Sequence, residues 1–352
     1  MENQLTKIVQ PLLRWYGKNA RTLPWRDEPT PYRVWVSEIM LQQTRVEAVK
    51  PYFERFLSEL PTISALADAP EEQLLKLWEG LGYYSRVRNL QKAARAVMEN
   101  YGGVLPKKPE ELLRLPGIGE YTAGAIASIA YGEPVPAVDG NVLRVIARVT
   151  GDRSNISETA VKREFAERLR EIYPKKQAGA FTQSLMELGA MVCLPNAEPK
   201  CGECPLSSLC TAHSLGVERE LPVKAAKKQR KIEERTVFLL LHEGRAALQK
   251  RPDKGLLAGL WEFPNVLGKL SPQEAEKQLK TLGVTAEKIV PIAPSKHIFS
   301  HIEWHMTNYL VPAASPETQA FVWVGQRELA ETYSIPAAFG KCLAYFQKMQ
   351  AP

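Results

Sequence analysis

The chain has 352 residues, of which 45% are hydrophobic and 24% are charged. This composition excludes a disordered or fibrous protein, and the length suits roughly two domains of about 150 residues each. The uncharged stretch 121–132 is far shorter than the roughly 20 residues that a membrane-spanning helix needs, and the N-terminus lacks the pattern of a signal peptide. We therefore expect a soluble, cytoplasmic protein whose net charge of +7 mildly favours an anionic partner.

The first 213 residues have the periodicity and composition of helices joined by short connections. Turns rich in glycine and proline, such as GLGYY, LPGIG and YGEPVP, separate the segments. Helices are predicted over Pro31–Val49, Glu71–Trp78, Val87–Glu99, Pro109–Leu115, Glu120–Ala130, Asn141–Thr150 and Ala160–Ile172. We expect them to form one all-helical domain, residues 1–213.

The pattern changes after the basic segment KAAKKQRK at 224–231, which is either a solvated linker or a phosphate-contacting one. A hairpin turn is predicted at His242–Gly244. Strands are predicted over Thr236–Leu241, Arg245–Arg251, Leu260–Val266, Val290–Pro291, His297–Leu310 and Phe321–Val324, with helices over Ser271–Thr281 and Ile335–Met349. The predicted fold class is multidomain, an all-α domain followed by a basic connector at 214–233 and an α+β domain at 234–352.

A short motif in the helical half, LRLPGIGEYTAGAI at 113–126, predicts two helices joined by a Pro-Gly-Ile-Gly turn within residues 109–130. Gly117 and Gly119 permit a tight turn that points backbone N–H groups outward at the start of the second helix. An ordinary αα-hairpin is the alternative. The full motif favours a helix–hairpin–helix that clamps the backbone of DNA.

Two carboxylates stand out as candidate catalytic groups. Glu38 lies among apolar residues of a predicted helix, where the pKa of a carboxyl group should rise, as a general acid near neutral pH requires. Asp139 immediately precedes the helix opened by Gly140 and Asn141. Each has an ordinary alternative, because Asp139 is suited to an N-cap and Glu38 to a partly exposed helix position.

Four of the five cysteines, Cys193, Cys201, Cys204 and Cys210, lie within one segment with the spacing C-x7-C-x2-C-x5-C. In a chain without a secretion signal this clustering indicates metal or cluster ligation rather than disulfides. Four thiolates suit either zinc or a [4Fe–4S] cluster, and the ligand count does not decide between them. The fifth, Cys342, is expected to be a buried or incidental thiol.

Several motifs in this order resemble the endonuclease III superfamily of base-excision DNA glycosylases, and within it the adenine DNA glycosylases of the MutY type. They are LPWR at 23–26, SEIMLQQT at 37–44, GLGYYSRVRNL at 80–90, VDGNV at 138–142 and ELGAMVC at 187–193. The resemblance covers essentially the whole chain. It implies hydrolysis of the N-glycosidic bond of adenine mispaired with 8-oxoguanine or guanine, in duplex DNA, by a monomer carrying a [4Fe–4S] cluster.

One position separates the branches of this superfamily. Bifunctional members carry a lysine two residues after the last hairpin glycine, and its amine forms a Schiff base with the opened sugar. Here that position is Tyr121. A phenol cannot form an imine, so the sequence predicts base removal without efficient strand cleavage.

The resemblance also implies roles for individual residues. Glu38 would protonate the leaving adenine and then activate water, while Asp139 would stabilise the oxocarbenium ion. Tyr121 and Asn141 would orient this pair. Implied adenine-pocket residues are Arg26, Trp25, Leu41 and Gln183; implied DNA wedge or backbone residues are Gln43, Tyr83, Leu81, Gly117 and Gly119.

The C-terminal domain resembles the Nudix-like module of adenine DNA glycosylases through RPDKGLLAGLWEFPN at 251–265. It lacks the carboxylate array that a Nudix hydrolase uses to hold Mg²⁺, because Glu274 and Glu276 stand without the Arg-Glu core. Phe299, Ser300 and His301 match the loop that reads 8-oxoguanine, with a plain β-turn as the alternative. His297, His301 and His305 are expected in a strand or hairpin, where they would not converge on a metal.

Two readings from other classes remain. A bifunctional glycosylase for oxidised pyrimidines explains the hairpin and the cysteines, but it fails at Tyr121 and has no use for residues 230–352. A non-catalytic iron–sulfur protein that binds DNA requires Glu38 and Asp139 to be idle. The segment between Cys193 and Cys201 has seven residues where the family usually has six, and among them it offers only Lys200 as a cation. A contact of this loop with DNA is therefore in question.

Overall fold

The computed structural model describes residues 4–226, 229–316 and 320–349. By their contacts these residues divide into two compact units, 1–69 with 88–226 and 70–87 with 227–352. The first is helical, and the second is built around a mixed β-sheet. These architectures confirm the predicted combination of an all-α domain with an α+β domain.

Short helices account for nearly all the regular structure before residue 216. The α-helices are α1 Val9–Asn19, α2 Pro24–Asp27, α3 Pro31–Leu41, α4 Val46–Glu59, α5 Ile63–Asp68, α6 Glu71–Leu77, α7 Ser85–Tyr101, α8 Pro109–Leu112, α9 Glu120–Ala125, α10 Gly140–Thr150, α11 Thr159–Arg170, α12 Ala178–Met191 and α13 Thr211–Leu215. A π-helical turn, Ile126–Ala130, continues α9. Short 3₁₀ segments cover Gln4–Ile8, Cys201–Glu203 and Ser207–Leu209.

The single helix predicted over Pro31–Val49 is wrong. The structure has two helices, α3 and α4, separated at residues 42–45. The backbone of Gln43 has φ 58°, in the left-handed region that no α-helix continues. The apolar periodicity runs through the break, which is why the sequence did not reveal it. The prediction also omitted α1 and α12.

The core beside the candidate site is formed by the N-terminal segment together with α10, α11 and α12. Its buried side chains include Leu5, Leu12, Val145, Phe165 and Phe181. Two arginines of α10, Arg144 and Arg148, are buried too. Their guanidinium groups donate to backbone carbonyls, which offsets the cost of burying a charge.

The second unit holds an eight-stranded sheet. Its strands are β1 Lys231–His242, β2 Arg245–Lys250, β3 Trp261–Glu262, β4 Asn265–Leu267, β5 Val284–Ala286, β6 Val290–Ile298, β7 Ile302–Pro316 and β8 Val322–Val324. The main path runs β3-β2-β1-β7-β5, with β4 on β1, β6 on β7 and β8 on β2. The long β1–β7 pair is parallel and the other pairs are antiparallel.

Side chains of β1 alternate between two cores, one on each face of this sheet. Val237 and Leu239 join one core with the helix α16, Gly340–Met349. Phe238 and Leu240 join the other core with α14, Pro272–Thr281. A sheet covered on both faces accounts for the continuous apolar run TVFLLL, which would alternate if one face met water. A further short helix is α15, Gln326–Glu331.

The structure confirms the hairpin predicted at His242–Gly244, where Glu243 and Gly244 have φ 47° and 74° as a type I′ turn requires. Two predicted strands are wrong in extent. The strand over His297–Leu310 is interrupted at 299–301, where the chain turns from β6 into β7. The strand over Leu260–Val266 is divided into β3 and β4 around Phe263-Pro264, because proline lacks the N–H that a strand ladder needs.

Part of the predicted connector, 214–233, is packed against the helical unit. Leu221 is buried and its carbonyl accepts from the buried Arg148, while Ile156 N–H donates to the carbonyl of Val223. Within the basic segment, residues 227 and 228 lie outside the described residues. The regular structure of the second unit resumes with β1 at Lys231.

Residues 70–87, placed in the helical domain by the sequence analysis, belong to the second unit by their contacts. Lys76 Nζ donates to the carbonyls of Leu329 and Tyr333 at 3.3 and 3.0 Å. Glu79 Oε1 accepts from Ile335 N–H at 2.7 Å. No helix within the described ranges is long and apolar enough to cross a membrane.

Gly124→Ala tests the close approach of α9 to the segment that leads into α10. A Cβ at Gly124 would lie 2.2 Å from the backbone oxygen of Pro136, which no side-chain rotation relieves. We expect the free energy of unfolding to fall by about 1–3 kcal/mol or more. The matched control is Gly17→Ala in α1, where a Cβ meets nothing within 4 Å and alanine should stabilise by about 0.5–1 kcal/mol. Denaturant titrations measure both, and equal effects would contradict the packing argument.

Candidate active site

The helical unit contains a cavity of about 510 Å³ that is open to solvent. It is lined from four directions, by the segment around α2, by the α3–α4 junction, by the starts of α9 and α10, and by α12. The structure brings together here all eight residues predicted as catalytic or as adenine-pocket residues: Glu38, Asp139, Tyr121, Asn141, Arg26, Trp25, Leu41 and Gln183. Met186 and Val138 add apolar surface to the lining.

Glu38 is a buried carboxyl group in the wall of this cavity. It lies on α3, only 6% exposed, and Tyr121 on α9 donates its phenolic hydroxyl to Glu38 Oε2. The pKa of Glu38 is raised to about 7, chiefly because the group is buried. The Tyr121 hydrogen bond and Arg26 act in the opposite direction, and nearby Asp139 adds to the rise. The group therefore holds a proton over much of the neutral range, as a general acid must.

Asp139 caps the N-terminus of α10 and also lines the cavity. Its role as an N-cap therefore does not exclude a role in the candidate site. Its Oδ1 accepts from Val142 N–H at 2.8 Å, which caps α10. Its Oδ2 accepts from Asn141 Nδ2 at 2.7 Å. Burial raises the pKa of Asp139, while these hydrogen bonds and Arg144 favour its charged form. The two carboxyl groups of the cavity thus have different surroundings.

Asn141 is itself held in place by a hydrogen-bonded chain. Arg144 Nη2 donates to Asn141 Oδ1 at 2.9 Å and to the carbonyl of Gly189 at 2.7 Å, and its Nε donates to the carbonyl of Cys193 at 2.7 Å. The chain continues from Asn141 to Asp139. The amide of Asn141 is therefore oriented with its nitrogen toward the carboxylate.

The cavity wall contains an ionic cluster formed by Arg21, Arg26 and Glu187, which was not predicted from the sequence. Glu187 on α12 is only 1% exposed and accepts from both arginines. Burial raises the pKa of Glu187, but hydrogen bonds from Arg21 and Arg26 outweigh it and lower the pKa to about 2. The signal was present, because Glu187 stands in an apolar run, LMELGA, like Glu38 in its own.

Two predicted wedge residues have unusual backbones. Gln43 and Tyr83 have φ 58° and 46°, and both side chains are exposed, Tyr83 by 46%. Non-glycine residues held in the left-handed region cost free energy and concentrate at functional sites. Leu81, predicted beside them, is only 7% exposed, and its burial does not support a wedge role.

The turn around Tyr83 is fixed by Arg86. Its Nη2 donates to the carbonyls of Leu81 and Gly82 at 3.0 and 3.1 Å, and its guanidinium lies over the rings of Trp78 and Tyr83. Burial lowers the pKa of Arg86 to about 10. The side chain of Tyr83 is thus presented to solvent from a braced turn.

The predicted helix–hairpin–helix is present, with residues 113–119 turning between α8 and α9. Gly117 has φ 78°, and a Cβ there would lie 2.7 Å from Cβ of Asn89. Gly119 caps α9 and has open space around it. The buried Ile118 between them anchors the turn, as the motif predicted.

The four clustered cysteines line a second, small cavity of about 20 Å³, together with Val145, Leu188 and Leu206. The pKa of Cys201 is raised to about 11 and that of Cys204 to about 12, chiefly by burial, with a contribution from the other thiols of the group. Arg148 Nη1 donates to Cys193 Sγ at 3.2 Å. Four cysteines that line one cavity, with an N–H donor on Cys193, fit a cluster or metal whose charge would keep the thiolates ionised.

A second donor group borders this cavity. Donor atoms of Cys201, His213 and Glu218 lie within 4.8 Å of one another, with His213 Nδ1 at 2.6 Å from Glu218 Oε1. Among the described residues, the histidines 297, 301 and 305 are not part of such a group. Cys342 is buried in the core of the second unit, which confirms the prediction for it.

The predicted 8-oxoguanine loop is the turn between β6 and β7. Phe299 N–H donates to the carbonyl of Ile302 at 2.9 Å, and the Phe299 ring packs edge-on against Trp304. Ser300 and His301 are exposed. Ser300 Oγ lies 2.9 Å from the hydroxyl of Tyr83, so the two predicted DNA-contacting elements of this unit are hydrogen-bonded to each other.

Tyr121→Phe tests the electrostatics of the site independently of any activity. Because the Tyr121 hydroxyl stabilises the ionised form of Glu38, its removal should raise the pKa of Glu38 above about 7. Carbon-13 NMR titration of glutamate-labelled protein measures this, with Glu38→Gln identifying the resonance. An unchanged or lowered pKa would mean that the hydrogen bond does not act on Glu38.

Comparison with known proteins agrees with this geometry. The family model of the HhH-GPD superfamily of base-excision DNA repair proteins matches residues 36–171, and the NUDIX domain model matches residues 236–345. A thermostable thymine-DNA glycosylase superposes with a TM-score of 0.55 at 29% identity, covering 60% of this chain and 97% of its own. An endonuclease III–DNA complex gives 0.52 at 25% identity, over 61% and 98%.

Curated relatives of the chain include adenine DNA glycosylases. The human one is 35% identical over 99% of this chain and 75% of its own length, and one from Buchnera aphidicola (strain APS) is 33% identical over 98% and 99%. One from Arabidopsis thaliana is 41% identical, and the match spans about half of that protein, 48%. Near-complete coverage by such relatives, together with both domain models, shows that the chain belongs to the adenine DNA glycosylase family.

Proposed function

We propose that the protein hydrolyses the N-glycosidic bond of adenine mispaired with 8-oxoguanine or guanine in duplex DNA, acting as a monomer and leaving an abasic site. The observation that carries this proposal is the meeting of Glu38 and Asp139 in one cavity with different environments. A pair of carboxyl groups in which one holds a proton and the other carries charge is what acid-assisted glycosidic cleavage requires.

Glu38 supplies the proton. Adenine is a poor leaving group as an anion, and protonation at N7 lets the bond between C1′ and N9 break with its electrons moving to a neutral base. A pKa of about 7 keeps Glu38 loaded at neutral pH while leaving it acidic enough to donate. Because Glu38 is buried in the cavity wall, the base must leave the DNA stack to reach it.

Asp139 and the solvent complete the reaction. The charged carboxylate, oriented by Asn141 and the N–H of Val142, lies where it would stabilise the oxocarbenium ion that forms at C1′. Glu38, now ionised, accepts a proton from the water that adds to C1′. This restores the acid and leaves a hydroxyl group on the sugar.

The cavity supports base removal without strand cleavage. The position that holds the imine-forming lysine in bifunctional relatives carries Tyr121, whose hydroxyl is committed to Glu38. No lysine is among the described residues that line the cavity. Strand cleavage by β-elimination needs an amine there to form the Schiff base.

We propose that the second unit recognises the base paired with the adenine. Ser300 both donates and accepts hydrogen bonds, which suits the N7–H and O8 edge of 8-oxoguanine, and the exposed His301 suits a neighbouring phosphate. The exposed Tyr83, hydrogen-bonded to Ser300, suits a wedge beside the same base. Gly117 and Gly119 would hold the DNA backbone at the hairpin.

A [4Fe–4S] cluster is the proposed cofactor. Cys193, Cys201, Cys204 and Cys210 would hold it, and the donor set fits because four sulfur atoms face one small cavity. When bound, it would supply a rigid covalent cross-link between the four cysteines of this loop. Arg144 binds the carbonyl of Cys193, so the loop also bears on the position of Asn141.

Single-turnover base release on short duplexes tests the proposed activity. Adenine opposite 8-oxoguanine should be released fastest, adenine opposite guanine more slowly, and adenine opposite thymine or thymine glycol opposite adenine hardly at all. Strands should break at the adenine only after alkali. Glu38→Gln should slow release by about 10²-fold or more, because it removes the proton donor.

The control for this variant is binding of the same duplex, which should persist because the hairpin and the Tyr83 turn are untouched. Strand cleavage without alkali, or preference for the oxidised pyrimidine, would favour a bifunctional enzyme. Undiminished release by Glu38→Gln would remove the acid from the mechanism.

The cofactor is tested by the metal content of the purified protein. We expect about four iron atoms per chain and broad visible absorption, both lost in Cys204→Ser. Cys342→Ala should retain both, because that thiol lies in the other unit. One zinc ion per chain without visible absorption would contradict the cluster.

A further inference from the structure

Glu187 is a buried carboxylate that binds two guanidinium groups at once. Arg21 donates to it three times, from its backbone N–H at 2.9 Å, from Nε at 2.8 Å and from Nη2 at 2.9 Å. Arg26 donates twice, from Nη1 at 3.2 Å and from Nη2 at 2.9 Å. Five donors on one carboxylate is near the limit of what two oxygens accept.

The cluster also fixes the side chain of Arg26. Besides Glu187, Arg26 Nη1 binds the carbonyl of Arg21 at 2.9 Å, and its guanidinium lies 5.5 Å from the ring centroid of Tyr16. Its position in the wall of the cavity is therefore set by three neighbours. Of the three contacting groups, a carboxylate, a backbone carbonyl and an aromatic ring, only the carboxylate of Glu187 is charged.

The charges of this wall bear on the acid of the same cavity. Two guanidinium groups carry +2, and Glu187 reduces the sum to +1. The groups that face Glu38 are Tyr121 from α9, Asp139 from the start of α10 and Arg26 from α2. Arg26 favours the ionised form of Glu38, so an Arg26 without its counter-charge would favour it more strongly, since charge interactions are little screened in a buried site.

We propose that Glu187 is a positioning residue for adenine excision, which holds Arg26 in the cavity wall and offsets its charge so that Glu38 remains protonated at neutral pH. The inference rests on the proposed function, because it concerns the same acid. It assigns to Glu187 and Arg21 a part in the reaction although neither need touch the base.

A purely structural role is the competing account. In that account Glu187 only ties the segment around α2 to α12, and its loss lowers stability without changing the protonation of Glu38. The pH dependence of excision separates the two, because stability alone does not move the pH at which the acid is lost.

The experiment compares single-turnover adenine release between pH 5 and 9 for the wild-type protein and three variants. Glu187→Gln should shift the alkaline limb to lower pH by about 0.5 unit or more, about a threefold loss of rate on that limb. Arg21→Gln should shift it to higher pH, because Glu187 then faces a single cation. Glu187→Asp should restore most of the wild-type profile.

The matched control is Glu262→Gln, which breaks another buried Arg–Glu pair, that with Arg251 in the second unit. It should lower the melting temperature and leave the alkaline limb unchanged. Equal profiles for Glu187→Gln, Arg21→Gln and wild type would overturn the inference. If Glu187→Gln does not fold, the partly exposed Arg21 supplies the test through its opposite direction of shift.

NMR titration of Glu38 in the same variants makes the test independent of catalysis. The pKa should fall in Glu187→Gln and rise in Arg21→Gln. An inactive wild-type protein with these shifts would refute the proposed function and retain the charge coupling. An active wild-type protein without them would refute only the inference.

Discussion

Glu38 and Asp139 are buried carboxyl groups in the wall of one cavity, and the helical unit must offset the cost of desolvating both. Burial on α3 raises the pKa of Glu38 to about 7. Burial also raises the pKa of Asp139, but hydrogen-bond donors at the start of α10 favour its charged form. The donors around Asp139 all belong to α10, whereas Tyr121, which donates to Glu38, belongs to α9. The α3–α4 break, the hairpin and α12 are the elements that bring a buried wall and a donor-rich helix end to one point.

Two arginines contact the neighbours of these carboxyl groups or line the same cavity. Arg144 holds Asn141 against Asp139 and is anchored in turn on the cysteine loop. Arg26 lines the cavity, and its positive charge is paired with the carboxylate of Glu187. Each buried cation is matched to carbonyls or to a carboxylate, since an unmatched charge in such a wall would be costly and would disturb the acid.

Sequence alone identified the residues that line the cavity better than it predicted the backbone that positions them. Glu38, Tyr121 and Asp139 were identifiable because each combines a distinctive residue type with a motif. The break at Gln43 was not, because apolar periodicity continues through it and backbone φ leaves no trace in composition. Glu187 escaped because its partners, Arg21 and Arg26, lie in a distant part of the chain. The association of residues 70–87 with the second unit depends on tertiary contacts that no local pattern encodes.

The ion pairs of Glu187 span 166 and 161 residues of sequence. During synthesis the chain carries Arg21, Arg26 and Glu38 long before α12 emerges from the ribosome, and the wall that shelters the acid is absent until then. The cavity is consequently among the last features of the helical unit to be completed. In a nascent or truncated chain that ends before α12, this wall would be missing and Glu38 would meet water on that side.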